Sequence, residues 1–335
     1  MRKTRIVILA AILILLLVGA AICNIFFGAV HIPAADIWHS LTGAGDDVVS
    51  FIIRENRIPQ CITATLGGAA LAATGLLLQT AFRNPLAGPS VLGISSGASL
   101  GVAIVMLWIS GPIVIGGSEI GGYAAIIGGA LAGSLLITLL LTILSMRVRN
   151  ALMLLIVGMF TGYLTSSLVT LLSSLADARK IQNYVFWGMG SFGGVPMGQL
   201  PWFSGLVIVG LILAMLLAKP LNLLLLGDNY ATNLGVRVSR VKTQLLLVSG
   251  VLTAVVTAYC GPVAFIGLAM PHIARMLTRT DNHLILLPFS MLAGATTALI
   301  CNLLSVLPGN TVIPLNALTP IIGVPVILYV IKNRS

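Results

Sequence analysis

The sequence predicts an all-α, polytopic membrane protein with about ten transmembrane helices in one domain spanning residues 1–335. Three observations lead there. The chain is 58% hydrophobic and only 8% charged, whereas soluble domains carry about 25% charged residues. Its mean hydropathy is +1.09. Apolar runs near the length needed to cross a bilayer as helix, about twenty residues, recur from end to end, and the first runs from Ile6 to Phe27 without a charge.

Charge, proline and glycine punctuate the ten spans. The first, about 6–28, follows Arg2, Lys3 and Arg5. It is long for a signal-peptide core and lacks an obvious small-x-small site before Cys23, so it reads as an uncleaved helix. The second, 61–82, stops before the Asn84-Pro85 step, and the third, 91–110, starts after Pro89 and Ser90. The fourth, 121–146, ends at Arg147, and the fifth, 151–175, before Asp177. The sixth and seventh, 200–218 and 243–260, flank the basic stretch from Lys219 to Lys242. The eighth, 262–278, is broken by Pro262 and Pro271. The ninth, 284–306, ends ahead of Pro308, and the tenth, 316–332, closes the chain at Lys332.

An even number of spans puts both termini on one side, and basic residues mark the cytoplasmic one. With the N-terminus cytoplasmic, fourteen of the eighteen Lys and Arg fall inside. Only Arg54, Arg57, Arg179 and Lys180 fall outside, together with six of the eight acids. The basic balance thus reflects membrane orientation and calls for no nucleic acid.

Cys23, Cys61, Cys260 and Cys301 lie in or beside apolar spans without paired spacing and read as small buried hydrophobes. No HExxH, CxxC, EF-hand or phosphate-loop pattern occurs, so ATP would have to be bound by another subunit. "GISSG", Gly93–Gly97, fits the nucleophile pattern G-x-S-x-G. A nucleophilic Ser95 or Ser96 needs a base in reach, and His272, the only histidine within a span, is expected at the cytoplasmic edge. Packing is the stronger reading: Gly93, Gly97 and Gly101 recur every four residues, a small-residue face for close helix approach, and Gly129 and Gly133 form a second.

The stretch "RNPLAGPSVLGISSGASLG", Arg83–Gly101, interrupts two apolar spans. Asn84 precedes Pro85, which disfavours helix there, so a short loop is expected at the cytoplasmic face, pinned by Arg83. Irregular backbone at that depth is tolerated where it is buried in protein or lines a cavity. Such a loop is a candidate gate.

These motifs resemble the permeases of type II ABC importers for iron-siderophores, haem and cobalamin, and the resemblance covers nearly the whole chain. It is carried by "RIPQCITATLGGAALAATGLLLQTAFRNPLAGPSVLGISSGASLG" (57–101), "GDNYATNLGVRVSR" (227–240), "GPVAFIGLAMPHIARML" (261–277) with "LLPFSMLAGA" (286–295), and "IPLNALTPIIGVPVILYVIK" (313–332). It implies a ten-helix subunit in the bacterial cytoplasmic membrane, paired with a second copy or a close paralogue, with the substrate passing along their interface. It also implies an extracytoplasmic binding protein and two cytoplasmic ATPase subunits, which would bind ATP and Mg; this chain would bind no cofactor or metal and have no catalytic residue. Asn84, Pro85 and Leu86 would form the inner gate, helped by Arg149 and Asn150. The segment 219–242 would dock the ATPase through Gly227, Asp228, Ala231, Leu234, Gly235 and Val236. From the residues themselves, Asp228 can cap a helix starting near Tyr230 and Gly235 can end it.

Related cobalamin permeases dock their binding protein through several arginines. Here Arg57 matches one of them, Gln60 stands where a second is usual, and "CNLLSVLPGN" leaves Asn302 and Val306 in place of an Asp and an Arg. Arg54 is the compensating candidate, so Arg54 and Arg57 are the expected docking cations. No span carries a charge in its middle, whereas a bare divalent ion would ask for carboxylate or histidine ligands. A metal already wrapped in a chelator fits better: an iron-siderophore or haem first, cobalamin as the alternative. Gln79, Ser95, Ser96, Thr165, Ser166 and Asn302 are candidate path-lining groups, with helix–helix hydrogen bonding as the rival role. More distant readings are a secondary transporter, which would usually carry an intramembrane charge, and an intramembrane serine hydrolase.

Overall fold

The computed structural model describes residues 2–42, 47–109, 113–115, 118–120, 122–147, 151–307 and 312–332. Its elements, in chain order, begin with α1 (Arg2–Phe26), α2 (Ala34–Thr42) and α3 (Asp47–Phe51). α3 continues through a π-helical turn (Ile52–Arg57) into α4 (Ile58–Ala81), and α5 (Ile94–Ala103) continues into a second one (Ile104–Trp108). A small antiparallel hairpin, β1 (Ile113–Ile115) and β2 (Ser118–Ile120), pairs Val114 with Glu119. Then come α6 (Gly122–Arg147), α7 (Ala151–Ser174), α8 (Ala178–Gly188), α9 (Leu200–Leu216), α10 (Ala218–Leu225) and α11 (Asp228–Asn233). α12 (Val238–Cys260), α13 (Ile266–Thr278), α14 (His283–Val306) and α15 (Leu315–Lys332) complete the chain.

All ten expected spans fall on helices. Seven are long and apolar enough to cross a membrane, while Ile94–Trp108 and Leu315–Tyr329 are shorter apolar helices. The eighth is the most altered: α13 has only 13 residues, and 261–265 run outside any helix. Pro262, which cannot donate a helical hydrogen bond, explains the late start, whereas Pro271 is carried inside α13. The exposed backbone ahead of α13 is satisfied by Asn316, whose Nδ2 donates to Pro262 O (2.6 Å) and Gly188 O (2.9 Å). The third span also starts later than expected, at Ile94, because Gly93 is left-handed (φ 75°) and closes off the turns before it.

α4 is the axis of the bundle, buried without a break from Gly67 to Ala81. It packs against α9, α12, α13 and α14. Small residues make this possible. A Cβ on Gly68 would lie 2.3 Å from Gly294 O of α14, and one on Gly75 would lie 1.6 Å from Gly267 O of α13. Without a hydrophobic driving force between helices in lipid, such close backbone contact supplies the dispersion energy that holds them together. The two glycine faces expected from the sequence meet each other: Gly97 lies on Gly133, and Gly101 on Gly129. By contrast, α1, α7 and α9 carry outward apolar side chains such as Leu15, Phe160 and Val209. Such a surface belongs in lipid or against another apolar protein face.

Several basic residues gather at one end. Arg5 of α1 donates to Leu277 O near the end of α13, and Arg83, Asp228, Lys242, Arg275 and Asp281 gather in that same region. The opposite end holds Arg57, which reaches the last carbonyls of α1.

Candidate functional site

The end of α4 forms the turn on which the site is built. Asn84 N donates to Gln79 O and Arg83 N to Thr80 O, the pair of bonds of a Schellman motif. That motif wants a left-handed residue, usually glycine, and here Arg83 takes the position with φ 46°. Asn84 Oδ1 then accepts from Leu86 N at 2.9 Å, an Asx turn that lets Pro85 follow without helix. The Pro85 carbonyl is held 2.9 Å from His272 Nε2 of α13. Gln79 donates to Leu268 O at 3.0 Å, leaving its buried Oε1 without a protein partner. A cavity of about 280 Å³ opens here, lined by Gln79, Thr80, Arg83, Asn84, Pro85, Leu224, Leu225, Arg275 and Asp281. Leu86 is 44% exposed at its edge of the turn.

The loop 227–236 stands against this turn. Asp228 does not cap α11, as the sequence suggested. Gly227 (φ 110°) is the N-cap, and no side chain caps the helix. Asp228 is instead the first helical residue, where a carboxylate is favoured by the helix dipole, and its oxygens reach outward. Oδ1 lies 2.7 Å from Arg83 and Oδ2 2.6 Å from Lys242. The other end matches expectation: Gly235 N bonds Thr232 O and Val236 N bonds Ala231 O, closing a second Schellman motif on a glycine at φ 84°. Ala231 is buried, while Leu225, Leu226, Tyr230 and Leu234 are 48–59% exposed. Four large apolar side chains thus face outward beside a cluster of charges.

The remaining expected residues scatter. Ser95 and Ser96 are half-buried on α5, and a Cβ on Gly162 of α7 would lie 3.6 Å from Ser96 Oγ. His272 and His283 are engaged with Pro85, Thr80 and Asn222, so neither is hydrogen-bonded to these serines. Arg149 and Asn150 lie outside the described residues. Thr165 and Asn302 bond within the protein: Thr165 Oγ1 to Thr161 O and Gly162 O, and Asn302 to Asn24 and Gln60. Helix–helix bonding therefore accounts for Asn302, while Ser166 is exposed on α7.

The docking cations divide. Arg54 is exposed, with one bond to Ser40 O. Arg57 is only 5% exposed and donates to Ile25 O, Phe26 O and Val30 O at 2.6–3.0 Å. Arg57 therefore satisfies orphan carbonyls at the end of α1 and in the segment after it, a structural role beside the docking role expected of it. Gln60 and Asn302 line a second cavity of about 210 Å³ beside it, with Val306.

The sequence reasoning passed over three residues. Lys242 completes the Asp228 site. Asn222 and His283 tie α10 to α4 and α14: Asn222 Oδ1 accepts the His283 backbone N–H at 2.7 Å and faces Nδ1 at 3.0 Å, while Nε2 sits 2.8 Å from Thr80 Oγ1. Because Asn222 Oδ1 is already fixed as an acceptor, Nδ1 carries the proton and Nε2 faces the Thr80 hydroxyl as an acceptor, sharing its single proton with Leu76 O. An asparagine before an apolar run gives no periodic signal, which is why these were missed.

The FecCD transport family model matches residues 12–333. The chain is 34% identical over 325 residues to the hemin transport system permease protein HmuU of Yersinia pestis, covering 96% of this chain and 94% of that one. It is 32% identical over 335 residues to the vitamin B12 import system permease protein BtuC of Salmonella typhi, covering 100% and 97%. A metal-chelate type ABC transporter solved in an inward-facing conformation superposes with a TM-score of 0.82 at 30% identity, covering 96% of this chain and 97% of that one.

Proposed function

Because this chain belongs to the FecCD transport family, we propose that it is the permease of an ABC importer carrying a metal chelate inward across the bacterial cytoplasmic membrane. The working unit contains two permease subunits, two cytoplasmic ATPase subunits that bind ATP and Mg, and an extracytoplasmic binding protein. The permease itself binds no cofactor and catalyses no bond change. Both termini, the turn 82–86 and the loop 227–236 lie on the cytoplasmic side, where basic residues are retained.

One observation carries this reading. α11 and the residue that follows it present Tyr230 and Leu234, each more than half exposed, at the charged end of the bundle, where lipid tails cannot cover them. An apolar patch rimmed by charge marks a protein-binding surface, and this one is joined by an ion pair to the turn at the mouth of the inner cavity. Haem or an iron-siderophore is the first substrate class, supported by the haemin permease at 34% identity. Cobalamin is the second, supported by the vitamin B12 permease at 32%.

Two measurements test it. Leu234→Asp should leave the permease folded and prevent co-purification of the ATPase; retained association would remove 227–236 as the docking surface. Uptake of haemin challenged with excess ferric siderophore or cyanocobalamin identifies the chelate, since only the true substrate class competes.

A further inference from the structure

We infer that Arg83 and Asp228 form a strut that carries movement of α11 to the gate turn, making both positioning residues for transport. The inference rests on reading 227–236 as the ATPase-docking loop.

Arg83 is the first reason. The Schellman motif that ends α4 needs a left-handed residue, and glycine enters that region at least cost. The equivalent position ending α11 is Gly235. At α4 an arginine sits there instead, at φ 46°. The turn's backbone bonds make no use of its side chain, which reaches Asp228 Oδ1 at 2.7 Å and Leu224 O at 3.3 Å. Strained residues kept at such positions cluster at switches, where the side chain justifies the conformation.

Asp228 is the second. It caps nothing, and α11 closes its own end through Gly235, so its carboxylate is free to join elements. One oxygen holds Arg83 and the other Lys242 of α12. The pair is half exposed, 52% at Arg83 and 40% at Asp228, so it adds little to folding stability. Its worth lies in geometry.

The third is the hinge. α10 is fixed to the end of α4 separately, through Asn222, His283 and Thr80. Gly227, at φ 110°, separates α10 from α11, so α11 can pivot there while α10 stays. The Arg83–Asp228 pair is a polar link that crosses this hinge to the gate turn.

The test uses the full complex in nanodiscs, with Leu86→Cys as reporter and a membrane-impermeant maleimide as probe. The four native cysteines are buried or half-buried. Labelling is compared between nucleotide-free and vanadate-trapped Mg·ATP complexes. A change in rate is expected with the strut intact, and it should be lost in Arg83→Gly and in Asp228→Asn, with the ATPase still co-purifying. Arg83→Gly is the decisive variant, because it relieves the left-handed strain and keeps the turn's backbone bonds. Arg179→Gln, an exposed charge on α8 far from this loop, should respond as the parent does. A parent-like nucleotide response in both strut variants overturns the inference. So does a parent reporter that ignores nucleotide, or a lowered melting temperature in Arg83→Gly, which would make the residue structural. If Leu234→Asp retains the ATPase, the docking reading fails and the strut with it; if it sheds the ATPase while Arg83→Gly still responds, only the strut fails.

Discussion

Gly101 on α5 and Gly129 on α6 lie so close that a Cβ added to Gly101 would stand 1.9 Å from the Gly129 carbonyl oxygen. Two helices meet here through backbone, and a methyl group cannot be fitted without moving one of them. Gly128, one residue along, has open space around its Cβ position. Gly101→Ala should therefore cost on the order of 1–3 kcal/mol through overpacking. Gly128→Ala should gain up to about 1 kcal/mol from helix propensity. Thermal unfolding in detergent, run on both variants, checks the contrast; equal effects would show that this contact does not hold α5 to α6.

The two outer arginines should separate by readout. Arg57→Ala strands two carbonyls at the end of α1 and that of Val30 beyond it and should destabilise the protein by roughly 3 kcal/mol, given the strength of hydrogen bonds to a charged donor. Arg54→Glu should leave stability within about 0.5 kcal/mol and slow association of an acidic binding protein, with a rate that falls as salt rises. Melting curves and binding kinetics in nanodiscs decide. An Arg57 variant with native stability and slowed docking would restore it as a free anchor.

Asn302 links Gln60 of α4 to Asn24 of α1 through bonds of 3.0 and 2.7 Å. Asn302→Leu should cost about 0.5–2 kcal/mol, the range of polar links between helices in lipid, and leave transport in place. A large fall in transport with unchanged stability would return Asn302 to the translocation path.

Much of this molecule is legible in its residues. Each apolar span became helix over most of its length because in lipid each backbone group must bond within its own segment, and the Asn84-Pro85 step marked the turn that ends α4 through plain steric preference. Gly93, Gly97 and Gly101 announced close packing, though not their partners. The amphipathic helix α8 escaped notice because it is polar and lies outside the spans. The burial of Arg57 was not legible because a basic residue looks the same in sequence whether it faces water or bonds the end of a neighbouring helix. The pairing of Arg83 with Asp228, 145 positions apart, depends on how α10 and α11 fold back under α4. No local pattern contains that information.

The central claim, ATP-driven import of a metal chelate through this subunit, is tested most directly in proteoliposomes. These would hold the permease with its ATPase subunits and binding protein, with haemin, a ferric siderophore or cyanocobalamin on the binding-protein side. The expected result is accumulation of one chelate class that requires hydrolysable ATP at the ATPase side. Accumulation should stop in Leu86→Trp, where a bulky ring fills the inner turn although the complex stays assembled. Accumulation of none of the three, or uptake driven by an ion gradient without ATP, would contradict it.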